Sequence, residues 1–157
     1  MNNHDKEGLL FYFAGVVVTS IIILLICLML SITDAHADII DMNRIAQIES
    51  SNNPKAWNKA EDGRGRFQIN PICLKEWNNF HPRQQYTPDD LWNDDVNTKI
   101  ANWYMNKRIP QMIRHFGKED TVENRIIAWN AGINYVKTGK EIPRITKNFI
   151  AKYNGGA

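Results

Sequence analysis

The chain has 157 residues, 43% hydrophobic and 23% charged, with a formal net charge of +2. That length suits one domain and little more. The diffuse charge, with no run of Lys or Arg, does not support a nucleic-acid binder, and Cys27 and Cys73 are too few for a disulfide framework.

No charged residue lies between Glu7 and Asp34, and residues 9–30 (LLFYFAGVVVTSIIILLICLML) are apolar almost throughout. Such a run can cross a bilayer as a helix. It also exceeds the apolar core of a cleaved signal peptide, about 7–15 residues. Ala35-His36-Ala37 nevertheless fits the small-x-small cleavage pattern. An uncleaved anchor and a long signal peptide both stay open, and the length leans to the anchor. A lipoprotein signal does not fit, because Ile26 precedes Cys27 and apolar sequence continues beyond it. Either way the remainder is exported, although Lys6 between Asp5 and Glu7 marks orientation only weakly.

Residues 38–157 carry 18 Lys/Arg and 14 Asp/Glu, a net charge of +4 that favours an anionic polymer or surface. Cys73 is alone there, so a packed core must hold the fold, and five tryptophans suggest an aromatic one. A first helix is expected over 38–51, with Ile39, Met42, Ile45, Ala46 and Glu49 on one face. Residues 52–66 lack periodicity and read as an irregular loop. A short helix follows Pro71 through Leu74 and Trp77. TPDDLW reads as a helix start, with Thr87 as cap and Pro88 in the first turn. Val96, Ile100, Trp103 and Tyr104 form one apolar stripe, and Ile109, Met112, Ile113 and Phe116 another, ended by Gly117. Thr121 opens a helix that stops at Gly132, and Pro143 begins a last one reaching Tyr153. No alternating strand segment is visible. The expected fold is a small all-α domain, residues 38–157, behind a membrane-targeting segment, residues 1–37.

Metal binding is not expected, because His81 and His115 lie 34 positions apart with no paired ligand motif. Cys73 reads as a packing residue. GRGR, residues 63–66, lacks the preceding strand and the Gly-Lys-Ser/Thr ending of a phosphate loop. Asp89, Asp90, Asp94 and Asp95 read as caps and dipole partners, and Glu119, Asp120 and Glu123 as solvated. Glu49 differs. It ends an apolar stripe and precedes a polar, Gly-bearing loop, so it is either a frayed helix end or a carboxyl held protonated in an apolar cleft.

The ordered motifs Glu49-Ser50, Asn53-Pro54, Gly65-Arg66-Phe67-Gln68-Ile69 and Ala128-Trp129-Asn130-Ala131-Gly132 resemble the signature of the soluble-lytic-transglycosylase family. The resemblance covers roughly residues 39–153 and implies a lysozyme-like fold that cleaves peptidoglycan without cofactor or metal. It implies Glu49 as the catalytic acid and then base, with Ser50, Gln68, Trp129 and Asn130 orienting the glycan or the acid. The implied reaction breaks the β-1,4 bond between N-acetylmuramic acid and N-acetylglucosamine and closes a 1,6-anhydro end. One carboxyl suffices, because the sugar's own N-acetyl group meets the developing positive charge. The implied location is the periplasmic side of the inner membrane, anchored or released there. The implied partners are glycan strands, the membrane, and a secretion, conjugation or viral-entry assembly, as for other small anchored members; nucleic acid is not among them.

The chain departs from the family pattern in four places. Arg66-Phe67 replaces Leu-Met and is expected to alter the cleft floor. Trp129 replaces a Tyr, Ile145 stands where many members have Glu, and Phe149 where they have Tyr. Two rival readings remain at this level. One is a goose-type lysozyme-like hydrolase using Asp62 to position water. The other is a non-catalytic wall-binding subunit.

Overall fold

The computed structural model describes Ile22 and residues 39–155. The apolar run 9–30 and Ala35-His36-Ala37 lie outside these residues, apart from Ile22. Among the described residues no helix is long and apolar enough to cross a membrane.

Within the unit Asp38–Ala157, the first helix is α1 (Met42–Ser50). It starts later than expected because Asp41 caps it, its carboxylate accepting the Arg44 N–H at 3.1 Å. Ile39 therefore falls before the helix and is 91% exposed, while Ile45 and Ala46 are fully buried. The helix ends where Ser51 and Asn52 enter the left-handed region, at φ 56° and 61°. Their N–H groups close back on the carbonyls of Gln47 and Ala46.

The loop that follows holds an antiparallel pair, β1 (Trp57–Asn58) and β2 (Gly63–Arg64), with Trp57 opposite Arg64 and Asn58 opposite Gly63. The domain is thus mostly helical, as expected, and the loop read as irregular over 52–66 carries a small hairpin that the sequence did not show. Two-residue strands are too short to show alternation in a sequence. Beyond β2, Gly65 (φ 75°) and Gln68 (φ 51°) reverse the chain, and Arg64 and Ile69 exchange backbone hydrogen bonds. Gly65 is needed there, since a Cβ would lie 2.7 Å from the Leu91 carbonyl oxygen.

α2 (Pro71–Phe80) begins with Asn70 as cap and Pro71 in the first turn. TPDDLW forms a single 3-10 segment, Pro88–Trp92, closed by reciprocal bonds between Thr87 and Asp90, and not the start of a long α-helix. Asn93 then caps α3 (Asp94–Trp103). α3 runs through a π-helical turn, Tyr104–Arg108, into α4 (Ile109–His115). The Ile109 N–H reaches the Tyr104 carbonyl five residues back. Pro110 has no N–H to donate and its ring crowds the carbonyl four residues earlier, which accounts for the wider turn.

α5 (Val122–Asn130) is capped by the Thr121 hydroxyl. α6 (Ile133–Thr138), between Gly132 and Gly139, was not anticipated; one and a half turns are too few to register a 3.6-residue period. α7 (Arg144–Tyr153) closes the unit. α5 is central, packing on α4, α6 and α7, with Ile126, Ile127 and Ala128 buried. Arg125, also buried, pairs with Asp120 at 2.6 Å, so Asp120 is a largely buried partner and not the solvated residue expected. α1 packs on α7, and the Asp41 N–H donates to the Tyr153 hydroxyl at 2.8 Å.

Candidate active site

Glu49 follows the buried Ile45 and Ala46 by four and three residues, so the turn of α1 that anchors the helix also points its carboxyl inward. Trp129 occupies the last turn of α5, and its indole Nε1–H donates to Glu49 Oε1 at 2.7 Å. The Trp129 ring meets Tyr104, in the π-helical turn, edge to face at 6.1 Å. The two residues in that bond are 80 positions apart.

Two cavities, of about 590 Å³ and about 340 Å³, meet at the acid. Both are lined by Glu49, Asn58, Glu61 and Asn130. The larger continues over Ile145, Phe149 and Lys152 of α7. The smaller continues over Gln68, Ile72 and Trp129. Glu49 therefore stands at the middle of a cleft, with room for chain on either side.

Burial pushes the Glu49 carboxyl from 4.5 up to about 7, against the lowering effect of the Trp129 hydrogen bond; the nearby Glu61 charge adds to the rise. Such a group can hold a proton near neutral pH and can also give it up there.

The remaining expected residues separate into two sets. Gln68 lines the smaller cavity, its amide held by the carbonyls of Gly65 (2.7 Å) and Ala56 (3.2 Å). Asn130 lines both cavities, its Oδ1 accepting from the Thr146 hydroxyl at 2.7 Å. Ser50 lines neither. Its hydroxyl donates to the Arg66 carbonyl at 2.7 Å and accepts the Asn53 N–H, so it pins the loop after the acid. Arg66 and Phe67 do not shape the cleft as expected. Arg66 pairs with Asp94 at 2.8 Å, and Phe67 is in the core.

Asp62 is also outside both cavities. Its carboxylate takes the Arg64 guanidinium and the Trp57 indole N–H, which hold it below the usual carboxylate range. Asn58 and Glu61 were missed by sequence reasoning. Their place follows from which side of a two-residue hairpin faces inward, and no local pattern marks it. Among the described residues no group of three or more His, Cys, Asp or Glu is placed to hold a metal ion. Burial raises the Cys73 thiol well above its ordinary value, and His81 stacks on Trp77 with ring centroids 3.8 Å apart.

A mostly helical unit with a cleft crossing a half-buried carboxyl has the architecture of a lysozyme-like glycan-cleaving domain. The Transglycosylase SLT domain model matches residues 41–156, and the chain belongs to that family. Its members are lytic transglycosylases, which act on the peptidoglycan of the cell envelope. No curated protein and no solved structure matches the chain.

Proposed function

We propose that the protein is a lytic transglycosylase that cuts the β-1,4 bond between N-acetylmuramic acid and N-acetylglucosamine. The observation that carries this reading is Glu49, partly buried where the two cavities meet and bonded to Trp129, with a carboxyl raised to about 7. Protonated Glu49 donates to the bridging oxygen as the bond to the anomeric carbon breaks. Positive charge on the muramyl sugar is met by its N-acetyl group. The ionised Glu49, held by the Trp129 N–H, then takes the proton of the muramyl C6 hydroxyl as that oxygen closes on the anomeric carbon. The product is a 1,6-anhydro end, the other product carries the donated proton, and Glu49 returns to its acid form.

Gln68, Trp129 and Asn130 contact the glycan or the acid in this reading, and Ser50 positions the loop. Residues 1–37 anchor or export the catalytic unit, residues 38–157, to the periplasmic side of the membrane. The hydrolase reading through Asp62 is weaker, because that carboxylate is spent on Trp57 and Arg64 outside the cleft. Chromatography of digested sacculi tests the proposal. Anhydro-muramyl ends are expected; reducing ends alone, or intact glycan, count against it.

A further inference from the structure

Two adjacent acids sit at the tip of the β1–β2 hairpin, and the fold treats them oppositely. Asp62 is turned to Arg64 and Trp57. Glu61 lines both cavities, as only Glu49, Asn58 and Asn130 also do. Its one hydrogen bond among the described residues is a long one, 3.5 Å, from the Asn58 side-chain amide. Asn58 is itself tied into the turn, its Oδ1 accepting the Ala60 N–H at 3.1 Å. Glu61 is thus an exposed carboxylate with no salt-bridge partner among the described residues, at the seam of the cleft beside the acid.

We propose that Glu61 is a second functional carboxylate of this site, placed against the sugar that gains positive charge when Glu49 protonates the leaving oxygen. This rests on the glycan-cleaving reading above. In its role Glu61 transfers no proton and forms no bond. It is a negative charge that adds to the sugar's own N-acetyl group, stabilising the cationic sugar more than the neutral ground state, which is the condition for raising kcat. The same charge disfavours ionisation of Glu49 and helps it stay an acid until substrate arrives. Trp129 on α5 donates to Glu49, and among the described residues the other titratable groups lining the two cavities are Tyr104 in the π-helical turn and Cys73 on α2, both with raised values, and Lys152 on α7 along the larger cavity. Of these only Lys152 is a cation. Neutralising Glu61 therefore leaves Glu49 easier to ionise.

The experiment compares wild type, Glu61→Gln and Asp62→Asn on purified glycan across pH, together with a carbon-13 NMR titration of the Glu49 carboxyl. Glu61→Gln is expected to lower kcat on the order of 10–100-fold with KM nearly unchanged. It is also expected to move the alkaline limb of kcat/KM, and the Glu49 midpoint, to lower pH. Asp62→Asn is expected to leave both in place. Wild-type kcat with an unmoved limb in Glu61→Gln overturns the proposal. Absence of cleavage by the wild type overturns the glycan-cleaving reading, and the electrostatic role of Glu61 is then read from the titration: an unmoved Glu49 midpoint overturns it and a lowered one sustains it.

Discussion

The Trp129 indole N–H donates to the Glu49 carboxylate at 2.7 Å, joining the last turn of α5 to the last turn of α1. The bond opposes the desolvation that raises Glu49, so the acid is tuned between two effects of opposite sign. An indole can only donate, whereas a tyrosine hydroxyl at that place both donates and accepts. Trp129→Tyr is expected to keep substantial activity, and Trp129→Phe to lose on the order of 10–100-fold, the scale of one charge-assisted hydrogen bond. Loss of the donor should also move the alkaline limb of Trp129→Phe to higher pH. Equal activity of folded Tyr and Phe variants would remove Trp129 from the chemistry.

Glu49→Gln is expected to abolish glycan cleavage while the domain stays folded, because an amide keeps the shape but shuttles no proton. The variant should gain stability where the wild type holds a buried charge. Between 4.5 and about 7 the folded carboxyl binds more proton than the unfolded one, so wild-type stability falls as pH rises through that window. At pH 8 the variant should be more stable by roughly 1–3 kcal/mol, and near pH 4 the difference should vanish. Denaturation at both pH values checks this. Clearing of sacculi by the folded variant at near wild-type rate would end the assignment of Glu49.

Asp62→Asn should retain anhydro-end production, since its carboxylate faces Trp57 and Arg64 outside the cleft. A loss as deep as that of Glu49→Gln, accompanied by reducing-end products, would favour a hydrolase.

Asn97 is fully buried and makes three hydrogen bonds, to the Phe67 N–H and the carbonyls of Arg64 and Leu91. Asn97→Leu strands those three groups and is expected to cost roughly 3–5 kcal/mol in urea denaturation. A cost below about 1 kcal/mol would mean that the loop carrying Gln68 holds its shape without this plug.

The full-length protein is expected to stay with membranes after salt and carbonate washing, held by residues 9–30. Recovery of a soluble form starting at Asp38, with no membrane pool, would point to a cleaved signal instead.

Much of the helical frame was legible in the sequence because helices are local. Thr121, Pro71, and the Ile109, Met112 and Ile113 stripe act within one or two turns, and each lies at or in a helix of the fold. For Glu49 the spacing ties its direction to the buried Ile45 and Ala46, but leaves open whether it frays to water or turns into a cleft. Departures came where local signals are short or compete. Asp41 and not Asp38 precedes the first helix, α6 has only six residues, and Pro110 widens a turn inside what reads as a continuous stripe.

The identity of the groups facing the acid was decided only in three dimensions. Glu61 and Asp62 are neighbours of similar chemistry, yet a two-residue hairpin sends one to the cleft and the other to Arg64. Ser50 and Arg66 sit inside the signature motifs, but their side chains close a loop and an ion pair away from both cavities. The Glu49 to Trp129 bond spans 80 residues and exists because α1 and α5 both pack against α7. Periodicity and caps report what a residue does to its own turn of chain. Which side chains meet across a cleft depends on how separate elements pack, and that is a property of the tertiary structure alone.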